Sequence, residues 1–263
     1  MPLRFARAVL GSLALVGLFL AASPSFAQSE ETWSEIRTNA IGDRLPQEGE
    51  GLLTLVAPKR AEDAAIVPIE LHVKLPEGDT RQVTKLTLVV DENPAPVVGT
   101  FSFPDGRRAF DLSLRVRVDS YSFVRAIAET SDGTLHMTKA YVKAAGGCSA
   151  PALKDPTEAL ANLGQMRFRT YPERGEAQVQ VRHPNYSGLQ MDQITRLYTP
   201  AWYVENLSVR QGDRTLFTME GGISISEDPT FRFSYTPSDE VVTVEAKDTK
   251  GQVFKQTFPG SSA

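Results

Sequence analysis

The chain alternates apolar and polar residues in short runs over most of its length. In Phe110-Asp111-Leu112-Ser113-Leu114-Arg115-Val116-Arg117-Val118 every even-numbered residue is apolar, the period of a strand with one buried and one wet face. Similar runs at 52–57, 65–74, 83–90, 97–103, 109–118, 122–129 and 135–142 predict seven strands in the first half. Runs at 166–170, 177–183, 201–210, 215–219, 230–235, 241–248 and 252–258 predict seven more in the second. Turn residues separate them, as at Glu77-Gly78-Asp79, Pro104-Asp105-Gly106 and Ser131-Asp132-Gly133. The period changes only near the start, where Trp33, Ile36 and Ala40 place one apolar face on a short helix over 30–41. Short, evenly spaced strands imply an all-β protein, and the length suits two β-sandwich domains in tandem after the helix.

Upstream of the helix, Arg4 and Arg7 precede an apolar run from Ala8 to Ala22 and then Ser25-Phe26-Ala27. This is the layout of a secretory signal peptide over 1–27, cleaved after Ala27, and the apolar run is too short for a spanning helix. Export predicts a periplasmic protein with no membrane anchor after processing. The full chain has 28 basic and 32 acidic residues; losing Arg4 and Arg7 takes the net charge from -4 to about -6. Such a balance disfavours nucleic acid as a partner.

The joint between the two sets of strands runs from about Ala144 to Gln165, reads "AAGGCSAPALKDPTEALANLGQ" and holds the single cysteine of the chain, Cys148. A lone thiol has no intramolecular disulfide partner, so its uses are structural burial, intermolecular pairing or reactivity. Free cysteines are often buried, but Gly146 and Gly147 give this one no apolar shell, which predicts an exposed, functional thiol. Pro151 and Pro156 discourage ladder pairing, and Asp155-Pro156-Thr157-Glu158 is a start signal for a brief helix ending before Gly164. Lys143 and Lys154 flank the thiol and offer positive charge for a thiolate or an anionic adduct, beside their plainer use as solubilising surface.

Other chemistries lack their motifs. His72, His136 and His183 form no close pair with one another or with Cys148, so no metal site is predicted. No Gly-x-Ser-x-Gly elbow, phosphate loop or dinucleotide fingerprint is present, and the acidic pairs Glu62-Asp63 and Glu227-Asp228 read as solvated turns. A thiol redox enzyme is disfavoured because no resolving cysteine exists.

The stretches "AAIVPIELHV", "VVDENPAPVVGTFSF", "LRVRVDSYSFVRAIAETSDG" and "YVKAAGGCSAP" resemble SoxY, and "MRFRTYPERGEAQVQVRHPNYSGL", "PAWYVENLSVRQGD" and "ISISEDPTFRFSY" resemble SoxZ. The chain thus resembles the two sulfur-carrier subunits fused in one polypeptide, most closely the quinoprotein dehydrogenase-associated SoxYZ-like carriers. The resemblance implies a SoxY-like immunoglobulin-like sandwich over 28–145, a Gly-Gly-Cys carrier loop and linker over 146–165, and a SoxZ-like sandwich over 166–263. It further implies a non-enzymatic carrier with no cofactor, holding sulfur intermediates covalently on Cys148, with Gly146 and Gly147 as the hinge. Implied partners are periplasmic sulfur-oxidising enzymes or a quinoprotein dehydrogenase system, and the two β-domains would pair within the chain. The alternative is an accessory interaction protein of a periplasmic pyrroloquinoline-quinone-dependent alcohol dehydrogenase system, without sulfur cargo. The SoxY arm ends soon after its thiol, whereas here the chain continues; a loop tethered at both ends, with four extended residues a side, protrudes by at most about 14 Å.

Overall fold

A computed structural model describes residues 24–152, 156–192 and 195–260. Among the described residues fifteen strands follow α1 (Pro24–Ile41), and the fold is all-β as the alternation predicts. The first half contains β1 (Gln47–Glu48), β2 (Leu53–Val56), β3 (Val67–Lys74), β4 (Val83–Val90), β5 (Val97–Arg107), β6 (Ala109–Val116), β7 (Ser122–Thr130) and β8 (Leu135–Val142). After α2 (Pro156–Ala161) come β9 (Met166–Tyr171), β10 (Glu176–Val181), β11 (Val204–Gln211), β12 (Arg214–Gly221), β13 (Thr230–Ser234), β14 (Val242–Asp248) and β15 (Val253–Phe258). The Pro104-Asp105-Gly106 turn falls inside the long β5, and His183 lies beyond the end of β10.

The two immunoglobulin-like sandwiches are joined edge to edge through both of their sheets. One nine-stranded sheet runs β1-β8-β7-β4-β5-β12-β11-β14-β15, and one six-stranded sheet runs β2-β3-β6-β13-β10-β9. Across the joint, β5 pairs antiparallel with β12 (Phe101 opposite Met219, Gly99 opposite Gly221) and β6 with β13 (Leu112 opposite Phe233). Strand order is mirrored about this joint: β4, β5, β6, β7 and β8 occupy the places that β11, β12, β13, β14 and β15 occupy on the other side. Two similar halves thus meet as a closed dimer would, with a pseudo-twofold relation and a shared core.

That core is continuous. Val67, Ile69, Leu71 and Val73 of β3 face inward while Pro68, Glu70, His72 and Lys74 face out, the alternation of a strand covered on one side. Phe101 of β5 stacks edge-on with Phe231 of β13 at 5.7 Å and lies 6.1 Å from Phe217 of β12, so aromatic packing bridges the halves.

α1 begins six residues before the expected helix and stops at Gly42, whose φ of 72° turns the chain while its N–H bonds to Thr38. Trp33 and Ile41 are buried, with Ile36 and Ala40 beside them, against Val89, Ile127 and Leu135. The expected leader lies outside the described residues except for 24–27, which open this helix. Among the described residues no helix is long and apolar enough to cross a membrane.

Candidate functional site

Cys148 lies six residues past the end of β8, at the joint between the halves. Its loop is held by consecutive backbone donors: Gly146 N–H bonds Asp119 O at 2.7 Å, Gly147 N–H bonds Val118 O at 3.1 Å, and Cys148 N–H bonds Asp119 Oδ1 at 3.1 Å. The second half closes over it through the long connection between β10 and β11. There the Ser187 hydroxyl donates to Cys148 O, and Gln190 Nε2 donates to Ala150 O at 3.0 Å.

The sulfur is therefore not where the sequence places it. Ser149 is exposed, but Cys148 itself has 0% of its surface accessible, which corrects the expectation of an exposed thiol. Its covering comes from residues distant in the chain rather than from its Gly and Ala neighbours. Gly146, at φ 77°, takes the left-handed conformation that glycine adopts without strain. Gly147 is packed rather than free: a Cβ there would sit 2.1 Å from Ala64 O and 2.6 Å from Val118 O. In this closed arrangement the pair anchors the loop.

The surroundings of the sulfur are polar and charged. Arg117, only 2% exposed, acts on Cys148 electrostatically and donates from Nη2 to Asn185 O at 2.9 Å. Ser224 hydrogen-bonds the sulfur and also receives Asn93 Nδ2 at 2.9 Å. Asn93 ties the set together, donating to Arg117 O at 2.8 Å and accepting from Asp119 N–H at 2.8 Å. Burial pushes the Cys148 thiol up to about 12 and the Asp119 carboxylate adds to this, against the opposing pull of Arg117 and Ser224. At neutral pH the retracted sulfur is a protonated, unreactive thiol.

This shift has a stability consequence. Between the ordinary thiol range near 9 and about 12, the unfolded chain releases the Cys148 proton while the folded chain keeps it, so stability is present below pH 9 and declines above it. At pH 10 the expected loss is roughly 1–2 kcal/mol, or about 2–8 °C in melting temperature. Thermal scans of parent and Cys148→Ser at pH 7.5 and 10 check this: the parent should fall further, and parallel falls would contradict a protonated buried thiol.

The remaining candidates are not gathered around the sulfur. Lys143 is exposed in a surface basin of about 610 Å³ with Lys59 and Arg60; the cation that acts on Cys148 is Arg117. Lys154 lies outside the described residues. His72 pairs with Asp111 at 2.6 Å, His136 stands 3.4 Å from Arg81, and His183 is buried 3.5 Å from Asp248. Among the described residues no three His, Cys, Asp or Glu side chains converge as metal ligands. Glu227 and Asp228 are buried rather than solvated, Asp228 accepting His183 N–H at 3.2 Å and pairing with Arg182.

Sequence reading missed Arg117, Asp119, Asn93, Asn185, Ser187 and Ser224. The alternation of the run 109–118 puts Arg117 on the polar side just past β6, and only the second half, invisible to local pattern, buries it there. The one local signal is an arginine and an aspartate flanking Val118 immediately beyond a strand.

Comparison with known proteins fits this division of the chain. The profile of the family described as sulfur oxidation protein SoxY matches residues 37–148, ending on the cysteine, and that of sulphur oxidation protein SoxZ matches 169–259. Among solved structures, the sulfur carrier protein SoxY from Chlorobium limicola f thiosulfatophilum is 22% identical, with 46% of this chain and 98% of that chain covered, at a TM-score of 0.38. A superoxide reductase (neelaredoxin) from Ignicoccus hospitalis is 13% identical, with 35% and 79% covered, at a TM-score of 0.29. No curated protein sequence matches the chain. The chain thus carries a SoxY-family domain that ends on the sole cysteine of the sequence, followed by a SoxZ-family domain that closes over it.

Proposed function

We propose that this protein is a periplasmic thiol carrier: Cys148 holds sulfur intermediates covalently and presents them to sulfur-oxidising enzymes without itself catalysing turnover. The observation that carries this reading is the position of the only sulfhydryl, at the last residue of the SoxY match and in a Gly-Gly loop at the joint with the SoxZ half. The N-terminal leader supports the periplasmic address.

Carriage requires two states of the loop. In the closed state the thiol is shielded and protonated, which suits storage between enzymes. Loading and delivery require release of residues 146–150, which are held by a handful of hydrogen bonds worth about 1 kcal/mol each. Once out, the sulfur regains an ordinary thiol acidity, and thiolate attack on oxidised sulfur becomes available. Local opening at such a cost is fast and sparsely populated.

Intact-mass analysis of protein isolated from the periplasm without reductant tests the reading. The parent should show increments of sulfane sulfur or thiosulfonate, absent from Cys148→Ser. A parent that stays unmodified, and whose native thiol resists alkylation over hours, would refute carriage. Partner binding that survives Cys148→Ser, with no adduct on the parent, would instead identify a docking protein of the kind associated with quinoprotein dehydrogenases.

A further inference from the structure

The carrier site contains a positive charge that its free thiol does not use. Arg117 is 2% exposed, and its Nε is fully buried with no hydrogen-bond partner among the described residues. No carboxylate lies within ion-pair distance of it among the described residues. Of the groups that act on it when ionised, a negative charge at Cys148 is the strongest, ahead of Glu227 and Asp63. With those carboxylates beyond ion-pair distance, a buried guanidinium that also has one donor unmade favours an anion placed directly beside it.

We propose that Arg117 is the receptor for an anionic sulfur group carried on Cys148, so that the closed site binds loaded forms in preference to the free thiol. This deepens the carrier reading and rests on it. A thiosulfonate attached to the cysteine sulfur is ionised at every physiological pH and carries its sulfonate group two S–S bonds, each about 2 Å, out from Sγ. The planar guanidinium fork is suited to oxyanions, and its free Nε–H is a donor without an acceptor until one arrives. Asp119 repels an anion at this place, but its Oδ1 already accepts the Cys148 N–H and is held there. Because the sulfur has no open surface, the group is added while the loop is out and enters the site as the loop closes. Occupancy then supplies the charge that Arg117 lacks and holds the cargo away from water.

Two reagents separate charge from size. With tetrathionate, the Cys148 thiolate attacks a central sulfur and forms Cys148 Sγ–S–SO₃⁻, while thiosulfate departs with the bonding pair; tetrathionate is the oxidant. With methyl methanethiosulfonate, the same thiolate forms the neutral disulfide Cys148 Sγ–S–CH₃ and methanesulfinate departs. Both adducts are prepared on the folded full chain, verified by intact mass, and melted in the parent, Arg117→Met and Arg117→Lys. In the parent the anionic adduct should melt at or above the neutral one; in Arg117→Met it should melt about 5 °C or more below it, with Arg117→Lys between. An anionic-minus-neutral difference that is equal in parent and Arg117→Met overturns the proposal.

If Arg117→Met does not fold, the parent alone decides. Release of each adduct by dithiothreitol is compared with release from the unfolded chain; protection should be at least tenfold greater for the anionic adduct, and equal protection overturns the proposal. Failure of both reagents to load the native protein would count against the carrier reading instead. Arg117 is then judged on adducts installed on the unfolded chain and refolded.

Discussion

Arg125→Ala should lower the melting temperature by about 6–20 °C, and the deficit should shrink as the pH falls from 7.5 toward 5. Arg125 on β7 and Asp91 after β4 are 0% and 1% exposed and face each other, with Arg125 Nε 2.9 Å from both carboxylate oxygens and Nη2 2.8 Å from Oδ2. Burial already raises the Asp91 carboxyl above its usual range even with the guanidinium beside it. Removing the arginine leaves a buried carboxylate with the Ser29 hydroxyl, at 3.0 Å, as its remaining side-chain donor. A group whose folded pKa is raised gives its stability below the unfolded value near 4 and loses it as pH rises, so the variant suffers most where Asp91 must ionise. The same arginine pairs with Glu30 at 3.1 Å and stacks on Trp33 at 4.6 Å, which ties α1 to the sheet. Trp33 emission should therefore shift to the red in the variant. Replacing both partners, Arg125→Met with Asp91→Leu, should recover much of the loss. A deficit under 2 °C, or one constant across pH, would contradict this assignment.

The contrast between strands and site shows what local pattern can carry. The runs 83–90 and 135–142 coincide with β4 and β8 because each strand writes its own burial into its side chains. β1 escapes notice because two residues, Gln47 and Glu48, pair in parallel with His136 and Met137 through backbone alone. The joining of the halves is equally silent, since β5 and β12 meet through main-chain bonds and a Gly99–Gly221 approach that composition does not mark. The charged residues at 91, 117 and 125 are core, because their partners come from other strands, from α1 or from the second half. Cys148 departs from the expectation of exposure for the same reason: its own neighbours are small and bare, and what buries it lies far along the chain.

Gly147→Ala should raise the rate of Cys148 alkylation at pH 8 by about tenfold to a hundredfold while the rest of the fold stays intact. The added methyl would lie 2.1 Å from Ala64 O and 2.6 Å from Val118 O, and both are backbone atoms. Neither can yield, because Val118 N–H bonds Ala64 O at 2.9 Å and Val118 is fully buried beside the core. The loop is the weaker party, so the clash is relieved by expelling it. Gly146→Ala serves as the comparison. Its methyl meets only Ser149 Oγ at 3.8 Å, and its left-handed φ of 77° costs about 1–2 kcal/mol, a smaller disturbance. Alkylation rates should therefore rank Gly147→Ala above Gly146→Ala above the parent; the reverse order for the two glycines would make backbone freedom at 146, not close packing at 147, the control on access. Exposure and activation are a single event in this scheme. The thiol is held near 12 only while it is buried, so the movement that lets a reagent reach the sulfur also returns it to the acidity at which it can react.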